Sequence, residues 1–138
     1  MTALLTIAIM TAGKSMAVDI IVNNSVQSAN SNIRKNIKSI FLLRKTNWED
    51  GYPIRVFVLP DTNPLHSEFA AQILGVFPYQ IENAWSKEKF RGSASINPIV
   101  VNSEYEMLSA VARTPGSIGY LSSTTNHLKQ YIRRVAHD

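Results

Sequence analysis

Apolar positions in this chain fall into two rhythms, short continuous runs and longer stretches at helical spacing. Val18-Asp19-Ile20-Ile21-Val22 is a β-branched run ended by Asn23-Asn24-Ser25, which predicts a buried strand and a loop. The polar stretch from Asn24 to Asn32 extends that loop over the surface. Ile33, Ile37, Ile40 and Phe41 then recur on one helical face, with Arg34, Lys35 and Lys38 on the other. The spacing predicts an amphipathic helix capped by Ser31 or Asn32, with Arg44 and Lys45 near its carbonyl end. Ile54 to Leu59 alternates and then becomes wholly apolar, the pattern of a second strand.

Asn63 with Pro64 behind it predicts the start of a second helix, because proline at the first helical position loses no hydrogen bond. Leu65, Phe69, Ile73 and Leu74 form its apolar face and Gly75 stops it. A third helix is expected from Pro78 to about Lys87, burying Tyr79, Ile81 and Trp85. After a connection at 90–95, Ile96 to Val101 reads as a strand that Pro98 confines to an edge or a strand start. Ser103-Glu104-Tyr105-Glu106 is a capping box that opens a helix burying Met107, Leu108 and Val111. Ile118 to Leu121 is a short strand. The tail from Leu128 to Val135 reads as helix or strand, and the alternation of Tyr131, Arg133 and Val135 favours a closing strand. Strands alternating with helices predict an α/β fold, one mixed sheet flanked by helices.

With 138 residues, 45% of them hydrophobic, the chain suits one domain. Leu4 to Met10 followed by Ser15-Met16-Ala17 reads as an export signal over residues 1–17, cleaved after Ala17. No Lys or Arg precedes the apolar run, and the alternative reading of Leu4 to Met10 is a first buried strand. The run is too short to span a bilayer. The expected product, residues 18–138, is periplasmic or secreted. Losing Lys14 lowers its formal charge by one from the +4 of the whole chain. A mild positive balance suits anionic ligands.

Most catalytic chemistry lacks its residues. There is no cysteine, so a disulfide, a thiolate metal site and a catalytic thiol are excluded. His66, His127 and His137 do not have metal-ligand spacing, and no phosphate-loop, dinucleotide or nucleophile-elbow motif occurs. The expectation is a non-enzyme with no metal and no cofactor. The basic helix face lacks the interleaved aromatics that nucleic-acid binding would use. The turn from Asp61 to His66 carries the candidate ligand chemistry. A helix start offers free N–H groups to an anion. Thr62, Asn63 and His66 could add side-chain donors, and Asp61 could accept a proton from an oxyanion bearing an O–H group. A plain capped helix is the competing reading.

Three segments in order carry a family resemblance. Ile40-Phe41-Leu42 with Thr46-Asn47-Trp48 resembles the "IF-G-K-T-W-DG" signature of phosphate-binding subunits of ABC importers. Val58-Leu59-Pro60-Asp61 followed by Phe69 is similar to their phosphate loop. Thr114-Pro115-Gly116-Ser117-Ile118-Gly119-Tyr120 is similar to their "TPGAIGY". The resemblance implies one lobe of a type II periplasmic binding protein and oxyanion binding. It also shows departures. The family's arginine two residues before the Asp is Leu59 here, and its Ser-Gly-Thr falls on Asn63, Pro64 and Leu65. Pro64 has no N–H to donate. The sequence therefore leaves two readings: a module binding phosphate or another small oxyanion weakly, or an envelope protein-interaction or signalling module, with an envelope protein or a second copy as its partner, that kept the fold and lost the ligand.

Overall fold

A computed structural model of the chain describes residues 16–92, 97–123 and 130–135. Five strands form one sheet in the order β3-β2-β4-β1-β5: β1 is Val18–Asn23, β2 Arg55–Val58, β3 Ile99–Val100, β4 Ser117–Ser122 and β5 Ile132–Val135. β2 runs parallel to both β3 and β4, while β1 lies antiparallel to β4 and β5. The sheet is mixed, as expected, and the closing strand of the tail is β5. Residues 1–15, which hold most of the expected export signal, lie outside the described residues, as do His127 and His137.

Four helices flank the sheet: α1 Asn30–Phe41, α2 Pro64–Phe69, α3 Pro78–Phe90 and α4 Glu104–Arg113. α2 runs on into a π-helical turn, Ala70–Leu74, which Gly75 ends at a φ of 67°. The two faces of β4 show how the layers divide. Ile20 pairs with Tyr120 and Ile21 with Gly119, so each pair points to a different face. On one face Phe69 of α2 stacks on Tyr120 with ring centroids 3.9 Å apart, and Phe41 of α1 meets Phe69 edge-on at 4.7 Å. On the other, α4 lies so close that a Cβ on Gly119 would stand 2.5 Å from Met107 Sδ. A bare backbone at 119 is what lets α4 approach.

Polar groups at the element ends are satisfied across the fold. Asn23, buried at the end of β1, donates to the terminal carbonyls of α4 at Val111 (2.7 Å) and Ala112 (3.1 Å). Ser103 Oγ accepts from Glu106 N, as the capping box requires, and the Glu106 carboxylate takes the N–H of Asn102. Glu104 does not serve its own helix but accepts from Ser122 N at 2.7 Å, tying α4 to the end of β4.

Several local expectations need correction. α1 starts at Asn30 behind Ala29, with no side-chain cap, so neither Ser31 nor Asn32 is the cap. The apolar periodicity beginning at Ile33 does not sense the polar first turn. Lys45 pairs with Glu49 at 3.2 Å instead of serving the end of α1. Ser28 Oγ–H also bonds Glu49, and with Lys45 it holds that carboxyl down to about 2. α3 is a turn longer than expected and leaves Tyr79 60% exposed; Ile81 is buried and Trp85 half-buried, its indole N–H on Phe41 O at 2.7 Å. β3 shrinks to two residues behind Pro98 at the sheet edge.

Candidate functional site

Strands β2, β3 and β4 run the same way, so their carboxyl ends gather at one end of the sheet. The chain leaves β2 towards α2 on the Tyr120 face and leaves β3 towards α4 on the Gly119 face. Adjacent parallel strands whose connections depart to opposite faces leave a crevice beyond their carboxyl ends, the usual ligand position in open α/β sheets. Here that crevice is flanked by residues 60–63 after β2 and 101–103 after β3, the latter held at β2 by Val101 N–H on Val58 O at 2.9 Å.

The structure divides the four residues singled out from the sequence. Asp61 and Thr62 are exposed in the loop. Asn63 is the cap of α2: its Oδ1 accepts from Leu65 N at 2.9 Å, and Pro64 takes the first helical position. That commits the acceptor end of its side chain to the helix. His66 points inward and is only 1% exposed. Its Nδ1 lies 2.5 Å from Tyr120 Oη and its Nε2 lies 3.3 Å from Asp61 Oδ1. Tyr120 Oη also accepts the N–H of Leu59 at 2.8 Å.

These contacts define a chain from the end of β2 to the surface. Leu59 N–H donates to Tyr120; Tyr120 O–H donates to His66 Nδ1; His66 Nε2–H then faces the Asp61 carboxylate. This order gives every donor an acceptor and requires a neutral imidazole. Burial lowers the His66 pKa below its ordinary 6.5, against the opposing pull of Asp61, so the neutral ring is the form the core favours. Burial also pushes the Tyr120 phenol up, keeping its proton in place as a donor. His66 therefore orients Asp61 from beneath.

Asp61 has a second neighbour that the sequence did not suggest. Glu82, exposed on α3, lies near enough to the Asp61 carboxylate that Asp61, through side-chain hydrogen bonding and then like charge, raises the pKa of Glu82. Twenty-one positions separate the two, and nothing in the periodicity of α3 marks Glu82 out. The bond of Tyr120 to His66 escaped notice for a similar reason, since a β-strand tyrosine usually signals packing alone.

Among the described residues no group of His, Asp and Glu has the arrangement of a metal site. The site offers a fixed carboxylate, a threonine hydroxyl and loop backbone. It has no nucleophile paired with a base.

No protein-family profile matches the chain, and no curated protein sequence does. Solved structures do. The structure of PstS from Borrelia burgdorferi superposes with a TM-score of 0.68 at 19% identity, over 88% of this chain and 47% of that one. The fold is that of one phosphate-receptor lobe. An ABC-type phosphate transport receptor from Vibrio cholerae matches with a TM-score of 0.57 at 16% identity, over 87% of this chain and 45% of the receptor. A phosphate ABC transporter substrate-binding protein from Clostridium perfringens, solved with bound phosphate, matches at 0.52 and 18% identity, over 80% and 42%. This chain spans a little under half the length of each receptor. Among its described residues no helix is long and apolar enough to cross a membrane.

Proposed function

We propose that this chain is an exported, non-enzymatic solute-binding module that holds phosphate or a related oxyanion weakly at Asp61 and Thr62. The observation that carries the reading is the position of these two exposed residues, beyond the carboxyl end of β2 in a phosphate-receptor-like lobe. In this reading Asp61 accepts the O–H of a protonated oxyanion, Thr62 donates its hydroxyl, Asn63 fixes the loop as helix cap, and His66 holds Asp61 in place. Export by cleavage after Ala17 leaves a chain that begins at β1.

Weak binding follows from the missing donors. Leu59 and Pro64 supply neither guanidinium nor N–H, and each charge-assisted bond lost forgoes about 1.5–3 kcal/mol. An affinity of about 1 mM, some 4 kcal/mol, is expected. Glu82 sets a second acidic group beside Asp61, so Glu82→Gln, which cannot carry a negative charge beside an incoming anion, should tighten phosphate several-fold. Calorimetry and thermal shift with phosphate and sulfate test this. Saturable phosphate heat that strengthens in Glu82→Gln supports the reading. No heat and an unmoved Tm at millimolar ligand, in both proteins, removes it.

A second reading is an envelope interaction module that has lost the ligand. It is favoured by the exposed rings of α3 and its approach: Phe77 and Tyr79 stack at 5.9 Å while 65% and 60% exposed. Recovery of one specific envelope partner, or of a homodimer, that is abolished by Tyr79→Ser would support it.

A further inference from the structure

At the opposite end of the sheet, Trp48 of the first sequence segment and Gly116 of the third come together. Trp48 Nε1–H donates to Gly116 O at 2.9 Å, and Gly116 N–H donates to Ser25 Oγ at 2.8 Å. Gly116 has a φ of 74°, and a Cβ there would stand 2.9 Å from Pro53 O. The turn at Pro115-Gly116 is therefore pinned from three sides. Beside it lies a cavity of about 470 Å³ walled by Trp48, Tyr52 and Pro53, a size that suits small ligands.

Arg55, the first residue of β2, also lines this cavity. Its Nε is buried and has no hydrogen-bond partner, and no carboxylate among the described residues pairs with its guanidinium. A buried guanidinium donor without an acceptor costs free energy, and its planar fork matches a carboxylate. Asp50, exposed at the mouth, bonds Tyr52 N–H at 3.2 Å and adds a negative charge there. That charge disfavours dianions such as phosphate while leaving a single carboxylate able to reach Arg55.

We propose that this cavity is a binding site for an organic monocarboxylate with an apolar or aromatic body, its carboxylate on Arg55 and its body against Trp48, Tyr52 and Pro53. The occupant is a free acid or the carboxyl terminus of a peptide, which present the same chemistry. The site is independent of Asp61, because it lies at the amino end of β2 and shares no residue with the loop at the other end.

The test follows the Arg55 Nε–H and Trp48 Nε1–H signals by NMR as benzoate, its uncharged analogue benzamide, inorganic phosphate, and an acetylated Ala-Phe dipeptide with a free or amidated terminus are added. Saturable shifts with benzoate or the free-acid dipeptide, at least about tenfold weaker with the uncharged analogues, are expected. Which of the two acids binds more tightly tells free acid from chain terminus. Arg55→Met should lose about tenfold or more while the remaining spectrum keeps its dispersion, and Asp50→Asn, an exposed change, should tighten binding. Equal response to benzoate and benzamide overturns the proposal. So does no response at tens of millimolar, or no effect of Asp50→Asn. Shifts at Asp61 and Thr62 with phosphate report on the other site alone.

Discussion

His66 is the residue whose role the structure changes most. As a free side chain near a helix start it would donate to a ligand; as a buried, neutral ring between Tyr120 and Asp61 it positions a carboxylate instead. Tyr120→Phe keeps the stack on Phe69 but strips an acceptor from Leu59 N–H and a donor from His66. A loss of about 1–3 kcal/mol is expected in urea unfolding, the cost of buried polar groups left unpaired. The sign of the pH effect follows from the lowered pKa. Between that value and 6.5 the unfolded chain binds more protons, so stability is full above 6.5 and falls as the pH drops below it. A wild-type stability that is flat or rising on acidification from pH 6.5 would contradict a neutral His66. The cap Asn63-Pro64 was legible in the sequence because its bonds reach two residues along the chain. The His66–Tyr120 pair was not, because 54 positions separate the partners and no local pattern reports such a contact.

At the scale of elements, periodicity located every strand and helix described, and failed at their edges. It overextended β3, where Pro98 and an edge position leave room for only two residues, and it buried Tyr79, which α3 turns to solvent. Both errors concern what an element faces, which apolar spacing on one element cannot supply. Gly119 illustrates the point. In the sequence it is one position of the segment similar to "TPGAIGY"; in the fold it is the contact that lets α4 settle on β4. Gly119→Ala should cost about 1–3 kcal/mol by overpacking against Met107 and Val111, measured as a lower Tm. Pairing it with Met107→Ala, which makes room for the new methyl, should make the two changes non-additive, with the double variant more stable than the sum of the single losses predicts. The candidate site shows the same limit at larger distance: its loop was readable, while the carboxyl group contributed by α3 was not.

For the whole molecule, the decisive property is the way a receptor-like sheet is threaded. β1, the earliest strand described, finds both its neighbours, β4 and β5, at the far end of the sequence. While the chain emerges from the ribosome, β1 has no partner until residue 117 and beyond have followed, and only β2 and β3 can meet earlier. Contacts this distant in sequence are slow to form because a long loop must close first. A fragment ending at residue 116 should therefore lack the cooperative thermal transition of the full chain in circular dichroism; a sharp transition in that fragment would show that β1 is dispensable. Late closure leaves β1 with both edges bare until its two flanking strands are made, so the nascent chain carries an unpaired strand for most of the described sequence.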